Sequence, residues 1–170
     1  MMGINDRVVT MAASGAYRLL SGVGLVTLGA PGLPRRHART TANYCVPGTG
    51  DPDGPIPTKL SHGTSTDDIN SFLDQDLDIL VLSLPLTSET HGIISHEQFR
   101  ILSKKQTFLS SIARGGSINT EALMQALETG QITGAAVDGA GPEPLPSDHP
   151  LWNAPNLLIR PHVSWQTHLT

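Results

Sequence analysis

Three side chains suited to acid–base or binding chemistry stand beside separate apolar runs of the sequence, and a fourth follows one of them closely. Arg114 comes after TFLSSI, Asp138 ends GAAVD, His162 comes after NLLI, and Glu143 follows Asp138 by five residues. Each run has the length and the apolar composition of a buried strand. Because the carboxyl ends of parallel strands form the ligand-binding edge of a sheet, we expect these side chains to converge there.

The chemistry of these residue types fits one reaction. Arginine holds a carboxylate through two parallel hydrogen bonds and stays charged at every relevant pH. Histidine gives or takes a proton at an adjacent oxygen, and a paired glutamate favours its charged form. Arg114, His162 and Glu143 together predict reduction of a 2-oxo acid, with the hydride supplied by a nicotinamide.

Each of these residues also has a structural alternative when it is taken singly. Arg114 could be a surface arginine near a helix start, although the helix dipole makes that a poor place for a cation. His162 could be a hydrogen-bonding loop histidine, and Glu143 a solvated loop carboxylate. Asp138 could cap the turn that follows its strand.

Strand and helix patterns alternate from residue 65 onward, which is typical of parallel α/β architecture. Capping residues followed by apolar residues at helical spacing predict helices, and continuous apolar runs predict strands. The predicted helices are 65–75, 95–104 and 119–130, and the predicted strands are 78–84, 107–112, 134–138 and 156–161. Glycine and proline concentrate in residues 29–57 and 139–161, which predicts loops. We therefore expect a three-layer fold with a parallel sheet over residues 65–164.

Composition limits the class of protein. The 170 residues suffice for one domain, and a single cysteine, Cys45, excludes an internal disulfide and favours a reducing compartment, the cytoplasm. The histidines show no ligand spacing, so no metal site is expected. The net charge of −4 argues against a nucleic-acid partner. Residues 7–50 carry arginine, serine and threonine without any acid, so a mitochondrial transit peptide stays open as an alternative.

One apolar stretch invites a membrane interpretation. Leu19–Pro34 is uncharged, but it contains four glycines and two prolines and is shorter than a span requires. We expect no membrane helix there.

The motifs LPLTSET, IARGG and PHVS occur in this order within residues 77–164. This part of the chain resembles the coenzyme-binding domain of the D-isomer-specific 2-hydroxyacid dehydrogenases, and YCVPGTGDPDGPIP resembles an insertion in fungal-type members. The resemblance implies a Rossmann-like dinucleotide-binding domain over residues 44–170, a cofactor that is NAD or NADP, and a 2-oxo or 2-hydroxy acid substrate. It also favours a homodimer over a monomer.

The resemblance assigns roles to individual residues. It implies that Arg114 clamps the substrate carboxylate, that His162 is the acid/base and that Glu143 is its partner. Pro85 and Thr90 match the loop around the nicotinamide ribose and ring. Ala113 and Asp138 match backbone and carboxamide contacts to the nicotinamide, and Ser164 matches a residue beside the histidine.

The sequence departs from the family pattern at its amino-terminal end. Gly22 and Gly24 give two glycines of the phosphate-binding fingerprint, but position 27 is threonine, and GLVTLGA has the pattern of a strand. Residues 1–43 are therefore predicted to be a divergent, partly irregular segment, and the Rossmann-like fold to be incomplete there. We expect the 170 residues not to form the family's second, substrate-side lobe.

Cofactor choice depends on the end of the second strand, where an acidic residue would favour NAD. LGAPGLPRR has none and offers Arg35 and Arg36, which predicts that NADP binds at least as well as NAD. The alternative is that both are solvated loop arginines.

Three hypotheses follow from these observations. The first is the NAD(P)-binding domain of an oxidoreductase that acts on the CH–OH group of 2-hydroxy acids, weak or inactive in isolation. The second is a catalytically silent dinucleotide-binding or protein-interaction module. The third is a gene-model fragment.

Overall fold

The computed structural model describes residues 7–12, 24–29 and 59–163 of the chain. These residues contain seven strands, three α-helices and two short 3₁₀ turns. The strands are β1 (Arg7–Ala12), β2 (Gly24–Gly29), β3 (Lys59–His62), β4 (Ile79–Ser83), β5 (Phe108–Ser111), β6 (Gly134–Val137) and β7 (Leu157–Ile159). The helices are α1 (Thr66–Leu73), α2 (His96–Leu102) and α3 (Thr120–Glu128), and the 3₁₀ turns are Gly115–Ser117 and Pro150–Asn153.

The described strands form one parallel sheet in the order β3-β2-β1-β4-β5-β6-β7. The chain runs outward from β1 to β3, returns to place β4 on the other side of β1, and then continues outward to β7. The order therefore reverses between β1 and β4. In open α/β sheets, ligands bind at the carboxyl ends of the strands beside such a reversal.

Local capping explains where the helices begin. The Ser65 hydroxyl accepts a hydrogen bond from the Asp68 backbone N–H, and the Asp68 carboxylate accepts one from the Ser65 N–H in return, which is a complete capping box. The Asn119 side chain likewise accepts from the Ala122 N–H at the start of α3. Hydrogen bonds from Ser65 hold the pKa of the Asp68 carboxyl below its ordinary value.

The core lies between the sheet and the helices. In β4, Leu80 and Leu82 are fully buried while Ile79 and Val81 are only partly covered, so the strand buries one face more completely. Phe99 of α2 is also fully buried. Helix α2 contacts both α1 and α3, as expected when successive right-handed crossovers place helices on the same side of the sheet.

The structure confirms the α/β prediction. Every helix and strand predicted after residue 65 is present, with ends that differ from the predicted ones by at most two residues. The described residues supply two of the three expected layers, which are the sheet and one layer of helices. The assignment of residues 1–43 to a divergent segment stays a prediction, although two stretches within it form β1 and β2.

The described residues contain neither a membrane-spanning helix nor a cluster of metal ligands. No helix there is long and apolar enough to cross a membrane. In that same part of the chain, no group of three or more His, Cys, Asp and Glu side chains is placed to hold a metal ion.

Candidate active site

Three of the predicted site residues follow neighbouring strands at one edge of the sheet. Arg114 comes after β5, Asp138 comes directly after β6, and His162 comes after β7. Glu143 belongs to the loop between β6 and the second 3₁₀ turn. The parallel register of β5, β6 and β7 brings their carboxyl ends to the same edge, as the sequence predicts.

The side chains of Arg114, His162 and Glu143 form one hydrogen-bonded chain. His162 Nδ1 lies 2.7 Å from Glu143 Oε1, and His162 Nε2 contacts Arg114 Nη1. Because a guanidinium group only donates, Nε2 must accept, and the ring proton lies on Nδ1, where it is donated to the carboxylate. The side chain of His162 is 26% exposed and that of Glu143 is 44% exposed, so these hydrogen-bonded side chains lie at the surface of the described domain.

Backbone geometry and Asp138 fix the loop that carries His162. His162 has a φ of 56°, in the left-handed region that residues other than glycine seldom adopt. The next residue, Val163, donates its N–H to the Asp138 carboxylate at 3.0 Å. Asp138 is buried and so ties the end of β6 to the histidine loop. It bonds to a segment 25 residues later rather than only capping the turn after its own strand.

The loop after β4 is held by the hydroxyl group of Thr90. This hydroxyl donates to the Pro85 carbonyl oxygen at 2.6 Å and accepts from the Thr87 N–H at 2.8 Å. Thr87 also donates its own hydroxyl to the Glu89 carboxylate, which lowers the pKa of Glu89. Thr90 and Pro85 therefore shape the turn itself, and their contact with a nicotinamide ribose stays a prediction.

Two exposed apolar side chains at this edge were missed by the sequence reasoning. Ile112, between β5 and Arg114, is 52% exposed, and Leu86, after Pro85, is 44% exposed. Leu86 lies against Gly116, where an added Cβ would come 3.1 Å from its side chain. Ile112 continues the more exposed side of β5, because Ser111 and Ala113 on either side of it are buried, and this register is visible only in the structure.

The residues present suit the nicotinamide end of a dinucleotide. A flat ring needs an apolar wall and nearby polar groups, and this edge offers Ile112 and Leu86 together with Asp138. The predicted contact at Ala113 concerns its backbone, since the residue itself is buried. The remaining cofactor-binding predictions, Ser164, Arg35 and Arg36, lie outside the described residues.

Comparison with known proteins decides the family. Residues 46–164, most of the chain, match the family domain described as D-isomer specific 2-hydroxyacid dehydrogenase, NAD binding domain. The chain belongs to this family. This match confirms the predicted resemblance to the 2-hydroxyacid dehydrogenases. It also confirms the predicted Rossmann-like fold and the predicted cofactor, NAD or NADP.

Curated relatives of this 2-hydroxyacid dehydrogenase chain are longer proteins. A protein named glyoxylate reductase from Thermofilum pendens is 41% identical over 100 residues, which is 59% of this chain and 29% of the relative. One named glyoxylate/hydroxypyruvate reductase B from Pectobacterium carotovorum is 41% identical over 103 residues, 61% of this chain and 32% of that protein. The matched part thus spans about a third of these relatives.

Solved structures extend the similarity over nearly the whole chain. Phosphoglycerate dehydrogenase from Lactobacillus plantarum is 28% identical with a TM-score of 0.69, covering 95% of this chain and 46% of that one. A D-isomer specific 2-hydroxyacid dehydrogenase from Xanthobacter autotrophicus, solved with NADPH and MES, is 27% identical with a TM-score of 0.69. This match covers 93% of this chain and 58% of that one.

Proposed function

We propose that this chain provides the cofactor-binding half of a site that reduces 2-oxo acids to 2-hydroxy acids by hydride transfer. The observation that supports the proposal is the hydrogen-bonded chain from Arg114 through His162 to Glu143 at the carboxyl edge of the sheet. The names of the curated relatives suggest small substrates such as glyoxylate and hydroxypyruvate.

Arg114 binds the substrate carboxylate in this proposal. Its guanidinium group is exposed and faces the ring of His162, so a bound carboxylate lies beside the imidazole. The fork of donors fits the two carboxylate oxygens and fixes the direction of the adjoining oxo group.

His162 is the proton donor to the oxo oxygen. When the guanidinium group turns to the carboxylate, Nε2 becomes free to take a proton from solvent. Glu143 then stabilises the resulting imidazolium through Nδ1. The Nε2 proton passes to the oxo oxygen as its carbon is reduced, which leaves a 2-hydroxy acid and the neutral ring.

The cofactor supplies the hydride when it is bound. Ile112 and Leu86 would pack against the nicotinamide ring. Its surroundings would be lined by Asp138, Ala113, Pro85, Thr90 and Ser164.

Arg35 and Arg36 would hold the 2′-phosphate of NADP. Replacing both arginines by alanine should weaken NADP binding more than NAD binding, and equal loss for the two cofactors would count against that assignment.

Activity of the 170-residue chain by itself is expected to be low. Hydride transfer needs water excluded and the reacting carbons in near contact, and such orientation contributes about 7–11 kcal/mol to lowering a barrier. Arg114 and Glu143 are exposed in the described domain. We therefore expect weak cofactor binding and little or no turnover. We also expect a cytoplasmic homodimer, which sedimentation and localisation can check.

The test is a titration with NADH and NADPH followed by turnover with glyoxylate, hydroxypyruvate and bulkier 2-oxo acids. Cofactor binding with slow turnover that His162→Ala, Arg114→Ala and Glu143→Gln each abolish supports the proposal. Cofactor binding with turnover that these variants leave unchanged would contradict the roles of the three residues. Binding without any turnover is expected both for a domain that is inactive in isolation and for a silent dinucleotide-binding module, and failure to bind either cofactor would contradict the proposal.

A further inference from the structure

The loop that carries Glu143 has few side chains of its own to hold it in place. Gly139, Ala140 and Gly141 precede two prolines that flank Glu143, and the segment from Pro142 to Pro144 is exposed. A crevice with room for about one water molecule lies behind the loop, lined in part by Gly139, Ala140 and Gly141. The position of Glu143 therefore depends on contacts at the base of the loop, together with Leu145, which packs against the core two residues later.

Two contacts at that base come from a single neighbouring segment, residues 114–120. The Thr120 hydroxyl donates to the Gly141 carbonyl oxygen at 2.7 Å and is partly buried there. Gly115 packs its backbone against Ala140 so closely that a Cβ at position 115 would overlap the Ala140 carbonyl group. Both contacts lie within three residues of Glu143.

Segment 114–120 is itself firmly held from its other side. Gly92 donates its N–H to the Gly116 carbonyl oxygen at 2.8 Å, and Ile94 donates to Ser117 at 3.2 Å. Asn119 returns a bond to the Ile94 carbonyl oxygen at 2.9 Å and also caps α3, which begins at Thr120. The backbone that carries the Thr120 hydroxyl is thus held in place by hydrogen bonds on both sides.

The same segment begins with Arg114. Segment 114–120 therefore determines the positions of both hydrogen-bond partners of His162, which are Arg114 and Glu143. The guanidinium group contacts Nε2, and the carboxylate contacts Nδ1. A shift of the Glu143 loop relative to segment 114–120 would break one contact while leaving the other in place.

We propose that Thr120 is a positioning residue, which holds Glu143 against His162 Nδ1 through its hydrogen bond to the Gly141 carbonyl group. The role rests on the proposed function, because it matters to catalysis only if the Glu143–His162 pair sets the state of the acid/base. The hydroxyl is the required group, so serine should replace threonine and valine should not.

Nitrogen NMR on the full chain, with ¹⁵N-labelled histidine, tests this without cofactor or substrate. His162 is assigned by its loss in His162→Gln, and its two ring nitrogens report which one carries the proton. When the ring is neutral, the unmodified protein should carry the ring proton on Nδ1 and not on Nε2. Thr120→Val and Thr120→Ala should lose this pattern, and Thr120→Ser should keep it.

Thr129→Val is the matched control. Thr129 also donates its hydroxyl to a backbone carbonyl group, that of Gln125, but at the other end of α3. The control should keep the pattern of His162.

Each outcome decides the proposal. Retention of the pattern in folded Thr120→Val, equal loss in Thr129→Val, or loss in Thr120→Ser would overturn it, as would unfolding of both the valine and alanine variants. Absence of the pattern in the unmodified protein would instead refute the Glu143–His162 pair of the proposed function. Absence of turnover alone would leave the role of Thr120 in placing Glu143 intact.

Discussion

Residue types at the edge of the sheet account for the chemistry proposed here. The sequence predicted that Arg114, Glu143 and His162 would meet, and the structure brings them into one hydrogen-bonded chain. It did not predict Ile112 or Leu86, because an apolar residue beside a strand end is exposed or buried according to the register of the fold. Nor did it predict the bond from Thr120 to Gly141, which joins residues 21 positions apart.

Ser117 gives a prediction at the scale of one residue. Its side chain is fully buried, and its hydroxyl oxygen has no hydrogen-bond partner among the described residues, which costs about 1–3 kcal/mol. Ser117→Ala should therefore raise the free energy of unfolding by about 1 kcal/mol, measured by urea denaturation.

The control for this prediction is Ser103→Ala, because the Ser103 hydroxyl does have a partner, the Arg100 carbonyl oxygen at 2.7 Å. This variant should be no more stable than the unmodified protein. If Ser117→Ala were less stable than Ser103→Ala, the cost assigned to the buried hydroxyl would be wrong.

Helices and strands were predictable from the sequence to the extent that local signals define them. The Ser65 and Asp68 pair and the cap at Asn119 mark helix starts directly, and GLVTLGA has the pattern that became β2. Strand β3, which is Lys59–His62, carries no such signal because a short polar edge strand forms only when its neighbour is in place. Local sequence also cannot encode the strand order, which depends on how the crossovers pack.

The capping box of α1 gives a prediction at the scale of an element. Because Ser65 lowers the pKa of Asp68 in the folded state, the ionised carboxylate stabilises the fold above its ordinary pKa of 3.8. That contribution is lost as the pH falls through the still lower pKa of the folded protein. Asp68→Asn should reduce the Tm at pH 7, and its difference from the unmodified protein should shrink as the medium becomes more acidic than pH 3.8.

Asp67→Asn, a change one residue earlier in the same first turn, serves as the comparison. It removes a charge without removing the box. A pH dependence of Tm that is altered as much by Asp67→Asn as by Asp68→Asn would show that the helix dipole, rather than the capping box, is responsible.

The whole molecule places a well-protected strand beside its candidate site. Strand β4 lies between β1 and β5, next to the reversal of strand order, and its Leu80 and Leu82 are fully buried. Strand β7 pairs only with β6 among the described strands, and its Leu158 is 59% exposed. The arrangement puts rigid backbone under the cofactor side and a more accessible strand before His162.

Amide hydrogen exchange can check this distribution of stability. Backbone N–H groups of residues 80–82 should exchange slowest, close to the rate of global unfolding, and those of β7 should exchange faster through local opening. Slower exchange in β7 than in β4 would contradict the expectation that β4 is the more stable of the two strands.

Carboxylate recognition by Arg114 can be followed on the ring nitrogens of His162. Oxamate, an unreactive analogue of a 2-oxo acid, is titrated into the protein with ¹⁵N-labelled histidine and saturating reduced cofactor. We predict that the Nε2 signal of His162 shifts as the guanidinium group leaves the ring for the carboxylate, and that Arg114→Gln abolishes the shift. An unchanged Nε2 signal at saturating oxamate, or the same shift in Arg114→Gln, would contradict the account.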